Sequence, residues 1–366
     1  MLLSDIGAEV IKIERPHSGD ETRRWGPPFI GEQAAYFLAV NRNKKSVAVD
    51  LKRKEGIQII EQLVAKSDVF IENYIPGKLH SLGLGYEHLK KINPGLIYCS
   101  ISGFGSTGPY AKRPGFDVIA ASVGGLLSIT GPENGPPCKV GVAITDITTG
   151  LYANGAILAA LYQRQQTGVG TKIDCNLLSS QVSVLVNLAI NYLNAGLKAP
   201  RRDGKYITIG CGSDAMFHTL CRLLFPEEEA VKLLNDDRFK TNVERVENRV
   251  ILIDLLSKQF RLKPISHWTN VFEGSGIPFG PVNEFDDVFN DPQVMHNESV
   301  INVDHPTAGN IKLLGPAVKY SEPFFGHFSA PPLLGQHTET VLKDVLGYDS
   351  KRISFFNETN VVQCSK

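Results

Sequence analysis

Long apolar runs are missing from this sequence. The longest, residues 182–190, is broken by Asn187 and is too short to span a bilayer. An excess of charge is missing too: Lys plus Arg is 38, Asp plus Glu is 38, and the formal net charge is zero. A chain without a net field is a poor match for nucleic acid or an anionic membrane surface, and neither is expected as a partner. Ligand spacing for metals is absent as well. No two of the six cysteines, at 99, 138, 175, 211, 221 and 364, stand as CxxC, and the nine histidines have no neighbours at metal spacing. No metal is expected. Cys99 and Cys175 lie in apolar, strand-like runs and read as buried reduced thiols of an intracellular protein. No basic amphipathic lead opens the chain, so no address can be read from its first residues.

What is present is an alternation of strand and helix over the first half of 366 residues. Residues 9–14, 46–51, 68–72 and 96–101 are short runs rich in β-branched residues and read as strands. Between the second and third, Ile57, Ile60, Leu63 and Val64 recur at helical spacing over 54–66. Strand, helix, strand at this spacing predicts parallel βαβ units in an open α/β sheet. The Gly- and Pro-rich stretch 103–139 reads largely as loop, 147–166 as a long helix and 172–175 as another strand. Past residue 205 the texture changes to a short strand and acidic helices. The expected division is a large domain over 1–195, a smaller α+β domain over 205–315, and a C-terminal segment over 325–366 that returns to the large domain.

Three motifs are chemically suggestive. Gly103-Phe-Gly-Ser-Thr-Gly108 has the GxGxxG form, but Pro109, Pro114 and Gly115 follow it, so no helix can start in register to meet a dinucleotide. It reads instead as a flexible loop over a site. Lys44, Lys45, Lys52, Arg53 and Lys54 bracket a strand and are either a solvated edge or a greeting for a phosphate group. Asp146 is the only carboxylate between Glu133 and Asp174 and stands just before the long helix. It is a natural N-cap there. It is equally placed to be a nucleophile, kept ionised by the helix dipole. Spacing does not separate the two readings.

Taken together, DIGAEVIKIERP at 5–16, NRNKKS at 41–46, ENYIPG at 72–77, SGFG at 102–105 and DITTG at 146–150 form an ordered series. GIPFGPV at 276–282, DPQ at 291–293 and PLLGQHT at 332–338 continue it to the tail. With these motifs the chain resembles the family III CoA-transferases, the formyl-CoA transferase type. The resemblance implies a Rossmann-like large domain with a mostly parallel sheet, a small domain, an interlocked homodimer and a mitochondrial location. It implies CoA transfer from an acyl-CoA such as succinyl-CoA to a free dicarboxylic acid such as glutarate, with no bound cofactor and the CoA thioester as substrate. Asp146 matches the residue that carries the acyl group. CoA contacts fall on Arg15, on Val49, Asp50, Leu51 and Lys52, on Asn73, Tyr74 and Ile75, and on Arg113 and Phe116. Gly210 and Gly212 match a mobile glycine lid.

The resemblance also exposes two departures. Family members carry a strand before the segment matching residues 4–8, and residues 194–204 shorten a longer connection. An inactive CoA-binding relative or truncated isoform is therefore an alternative. A second alternative is α-methylacyl-CoA racemisation, which needs two opposed acid/base groups. The racemases place a histidine where this chain has Phe116, and a phenyl ring carries no proton.

Overall fold

A computed structural model of the chain describes residues 1–30, 33–131, 135–197, 206–305, 308–321, 338–344 and 347–359. The strands that build the architecture are β1 (Val10–Glu14), β2 (Lys44–Ala48), β3 (Val69–Glu72), β4 (Ile97–Ser102), β5 (Lys172–Asn176), β6 (Ile207–Ile209), β7 (Phe279–Pro281) and β8 (Val318–Tyr320). The helices that matter here are α1 (Ala35–Val40), α2 (Lys54–Val64), α3 (Asp117–Val123), α4 (Ile144–Thr167), α5 (Leu177–Ser183), α6 (Asp214–Leu224) and α7 (Pro292–His296). Together they make a mixed α/β protein whose larger sheet is mostly parallel.

That sheet runs β8-β5-β4-β3, parallel except for β8, which pairs antiparallel with β5. β1 and β2 form a separate parallel pair, Val10 opposite Lys44 and Glu14 opposite Ala48. Helix α2 nonetheless covers both pieces. Its Ile60 and Val64 share one apolar cluster with Ile13 and Val47 of the pair and with Phe70 and Tyr98 of the larger sheet. Two apolar strand residues are left uncovered: Ile11 is 38% exposed and Ile71 50%. In a parallel sheet wrapped on both faces such positions are normally buried. β1 and β3 each have an edge without a strand partner among the described residues.

The opposite face of the larger sheet is covered by α4. Ala153, Ala156, Ile157 and Ala160 repeat at helical spacing and pack on Ile97, Cys99, Ile173 and Cys175. The alanines leave no bulk between helix and strands, so this long helix lies close to the sheet. Cys99 and Cys175 are buried and unbridged. Beyond the sheet, α3 and α5 bury Ile119, Val123, Leu178 and Val182 together with Phe104.

The stretch 103–139 is largely loop, as the sequence indicates, but a helix interrupts it. It contains α3 and a turn of 3-10 helix at Leu127–Ile129. Residues 119–123 of α3 are all buried, so the segment has no polar face and shows no amphipathic period. Periodicity cannot reveal such a helix. The Gly103 loop is tied to α7 by side-chain hydrogen bonds. Gln293, wholly buried on α7, accepts a hydrogen bond from the Tyr110 N–H at 2.7 Å. Its amide nitrogen lies 2.9 Å from Phe104 O and 3.0 Å from both Thr107 O and Asn297 Oδ1. Two hydrogens serve these three acceptors, while Asn297 Nδ2 donates to Phe104 O at 2.8 Å. Gly108 has φ +93° and a Cβ there would stand 2.5 Å from the His296 ring. The glycines let the loop fold tightly against α7.

The chain divides into two compact units, residues 1–300 with 314–324, and residues 301–313 with 325–366. The first contains both sheets and also the β6–β7 pair, whose core joins Leu220 and Leu224 of α6 to Trp268, Phe272 and Phe279. In the second, Arg352 lies 3.9 Å over the Tyr348 ring, and Tyr348 meets Phe356 edge-on. Residues 198–204 of the shortened connection and most of the motif at 332–338 lie outside the described residues. Among the described residues no helix is long and apolar enough to cross a membrane.

Candidate active site

Helix α4 begins at Ile144, three residues earlier than the periodicity indicates, which places Asp146 inside its first turn. The N-cap position falls to Ala143, which has no side chain able to cap. Asp146 is therefore not the cap. That work is done from another element: Asp117, the first residue of α3, accepts hydrogen bonds at Oδ1 from the Thr145 N–H at 2.7 Å and the Asp146 N–H at 3.2 Å. The Asp146 carboxylate makes no hydrogen bond to any described residue.

The electrostatics run opposite to the expectation from the helix dipole. A carboxylate at a helix N-terminus is normally held down in pKa by the free N–H groups and the dipole. Here Asp117 has taken those donors. Protein crowds the Asp146 carboxylate although part of the residue opens to solvent, and the negative Asp117 adds repulsion. Burial first and Asp117 second push Asp146 up from the usual 3.8 to about 6. It remains mostly ionised at neutral pH and is more basic than an ordinary aspartate.

Three other groups converge on this point. Phe116 immediately precedes α3, and its ring packs on the Gly210 loop: a Cβ on Gly210 would lie 3.0 Å from it and one on Gly212 3.6 Å. Gly210 is itself held to the backbone by its N–H to Pro278 O at 2.8 Å. Tyr36 on α1 has its pKa raised, by burial first and then by the charges of Asp146 and Asp117. Trp25 meets Tyr36 edge-on at 5.1 Å. The structure thus gathers Asp146, Phe116, Gly210 and Gly212, and adds Asp117 and Tyr36, which sequence reasoning missed. Asp117 carried a weak signal in hindsight, a carboxylate opening an apolar run.

The strand-end positions form a second group. Arg15 follows β1 and pairs in solvent with Glu21 at 3.3 Å. Its strand is anchored by Glu14, which accepts hydrogen bonds from Arg23 Nη2 at 2.7 Å, Arg23 Nε at 2.8 Å and Ser46 Oγ at 2.7 Å. The Val49 side chain is in the core. Asp50 Oδ1 accepts from the Lys52 N–H at 3.0 Å, folding the turn after β2. A Cβ on Gly56 would fall 2.1 Å from Asp50 O, so α2 can approach this turn only through a glycine. Leu51 is half-buried against the same core. Asn73, Tyr74 and Ile75 are exposed after β3, where Glu72 Oε2 accepts from the Tyr74 N–H at 2.8 Å. These residues follow the carboxyl ends of β1, β2 and β3, and the carboxyl ends of parallel strands are where open α/β sheets bind ligands. No described hydrogen bond, ion pair or ring contact ties them to Asp146.

Arg113 is committed elsewhere. It pairs with Glu273 and lies 3.7 Å over the Tyr110 ring. Arg42 is likewise bound, to Asp5 at 2.6 Å.

The profile of CoA-transferase family III matches residues 1–338. The chain belongs to that family. It is 50% identical over 378 residues to the succinyl-CoA:glutarate CoA-transferase of Homo sapiens, covering 99% of this chain and 85% of that protein. It is 37% identical to the succinate--glutarate CoA-transferase of Agrobacterium fabrum, over 94% of this chain and 90% of that one. Among solved structures it is similar to a CAIB/BAIF family protein from Brucella suis, with TM-score 0.53, 41% identity, 94% of this chain and 93% of that chain covered. Within family III, the chain is an enzyme that moves CoA between acids.

Proposed function

We propose that this family III transferase moves CoA from succinyl-CoA to a dicarboxylic acid of the size of glutarate, with Asp146 as nucleophile. The observation that carries the reading is the free Asp146 carboxylate, relieved of capping by Asp117. The names and identities of the human and Agrobacterium relatives support the substrate pair.

Asp146 attacks the thioester carbonyl, the C–S bond breaks, and CoA leaves as thiolate while a mixed anhydride forms on the aspartate. The thiolate then attacks the aspartyl carbonyl and expels the donor as a free carboxylate, leaving an aspartyl-CoA thioester. The acceptor carboxylate attacks that carbonyl and releases the thiolate again, now beside an acceptor–aspartyl anhydride. Attack on the acceptor carbonyl completes acyl-CoA and restores Asp146. An acyl bond is activated at every stage, so a dry site is required. The Gly210 loop packed on Phe116 is suited to shielding it. Phe116 also stands where a racemase needs a proton carrier, which supports transfer instead.

The strand-end residues Arg15, Val49–Lys52 and Asn73–Ile75, in a Rossmann-like arrangement, are the proposed seat of the CoA nucleotide. A homodimer is supported by α4, which exposes an apolar stripe of Ile147, Leu151, Leu158 and Tyr162, the last two-thirds exposed at 67%. The test is product analysis with purified protein, succinyl-CoA and labelled glutarate. Labelled glutaryl-CoA is expected, with glutarate preferred over hexanoate. Free CoA as the only product, or a preference for hexanoate, would count against the proposal.

A further inference from the structure

The first turn of α4 poses a question that transfer chemistry alone does not answer. Two carboxylates, Asp117 and Asp146, sit at one helix N-terminus, and only one can be the nucleophile. Asp117 holds both N–H groups that the start of the helix offers, at 2.7 and 3.2 Å. The helix is fixed further inward: Thr145 Oγ1 donates to the buried Gln181 Oε1 at 2.8 Å, and Thr149 Oγ1 donates to Thr145 O at 2.7 Å. The charged and titratable groups facing Asp146 are Asp117 from α3 and Tyr36 from α1. Among the described residues no Lys, Arg or His pairs with either carboxylate.

We infer that Asp117 is the positioning residue for the nucleophile: its carboxylate holds the two N–H groups of the first turn that presents Asp146. The inference rests on the reading of Asp146 as nucleophile. Two physical effects act together. By occupying the helix donors, Asp117 denies Asp146 the hydrogen bonds that would stabilise its anion and dull its attack. By lying close with the same charge, it raises the proton affinity of Asp146 further, and nucleophilic reactivity rises with basicity. Tyr36 remains neutral over the relevant pH range and supplies no competing cation.

Two substitutions separate the effects. Asp117→Asn keeps an oxygen that accepts the two N–H bonds but removes the charge. Asp117→Ala removes both. The measurements are the pH profile of transfer and, independently, titration of the Asp146 carboxyl by carbon NMR in the protein without substrate. In wild type, transfer should fall as pH drops through about 6, where Asp146 takes up its proton. In Asp117→Asn the midpoint of both curves should move down by about half a unit to one unit, with normal folding and a fewfold lower maximal rate. In Asp117→Ala the maximal rate should fall roughly tenfold or more at every pH, because the turn itself loosens. An Asp146 titration identical in wild type and Asp117→Asn overturns the inference, whatever the transfer rates. Undiminished transfer by an Asp146→Asn variant would overturn the underlying reading instead, and the NMR comparison distinguishes the two failures.

Discussion

Replacing Asp146 with Asn is expected to lower CoA transfer roughly a thousandfold or more, as losing a covalent nucleophile does. An amide cannot open the thioester to an anhydride. The same change should leave the fold intact, because the helix cap is Asp117 and not Asp146. It should even stabilise it. A carboxylate whose folded pKa, about 6, lies above its usual 3.8 carries a penalty when ionised. That penalty is absent below the unfolded value and develops as pH rises from about 4 to 6. The screened size is about 1 kcal/mol, since the group is partly solvated. Thermal melting should therefore show the Asn variant equal to or above wild type at pH 7.5, the difference vanishing near pH 3.5. Hydroxylamine added during turnover should convert wild-type Asp146, and no other residue, to a hydroxamate. Steady transfer by the Asn variant would dismiss the covalent route, and a marked loss of stability would restore the capping role.

Gln293→Leu is expected to cost about 3 kcal/mol or more of stability. The side chains are close in volume, so packing changes little. The loss is polar: the half-buried Tyr110 N–H and the buried Asn297 Oδ1, both hydrogen-bonded to Gln293, would lose that partner. Each buried group left unsatisfied costs about 1–3 kcal/mol. Phe104 O keeps the hydrogen bond from Asn297, which limits the damage. The freed segment leads directly into Phe116 and Asp117, so transfer should weaken along with stability. Urea denaturation and limited proteolysis between residues 103 and 115 would report both effects. An unchanged unfolding midpoint would mean that the loop is held by other contacts.

Much of this molecule is legible in its sequence because local chemistry and burial agree. Ile57, Ile60 and Val64 declare the face of α2 because that helix has one dry side and one wet side, and the short β-branched runs declare β1 to β5 by composition, even β4, which is buried on both faces. Residues buried all round, as in α3, give no such contrast. The fate of the Gly103 loop depends on Gln293, almost two hundred residues away, and no local pattern carries that information. The site is legible to the same degree. Asp146 stands out as an isolated carboxylate, whereas Asp117 acquires its role only when α3 and α4 meet. Tyr36, on a short helix, becomes relevant only through that same packing.

The separation of β1 and β2 from the larger sheet has a dynamic consequence. A two-stranded element has little cooperativity of its own and opens at a low free energy, whereas β4, paired on both sides, opens only with the whole unit. Backbone amides of Val10–Glu14 and Lys44–Ala48 should therefore exchange with deuterated solvent well before those of Ile97–Ser102. Arg15 and the turn at Val49 to Lys52 extend from the pair that opens. If CoA seats on that turn, it binds only the closed population, and its apparent affinity carries the closed fraction as a factor. CoA should then slow exchange in these two strands more than anywhere else, making recognition of the nucleotide and ordering of the strand pair a single event.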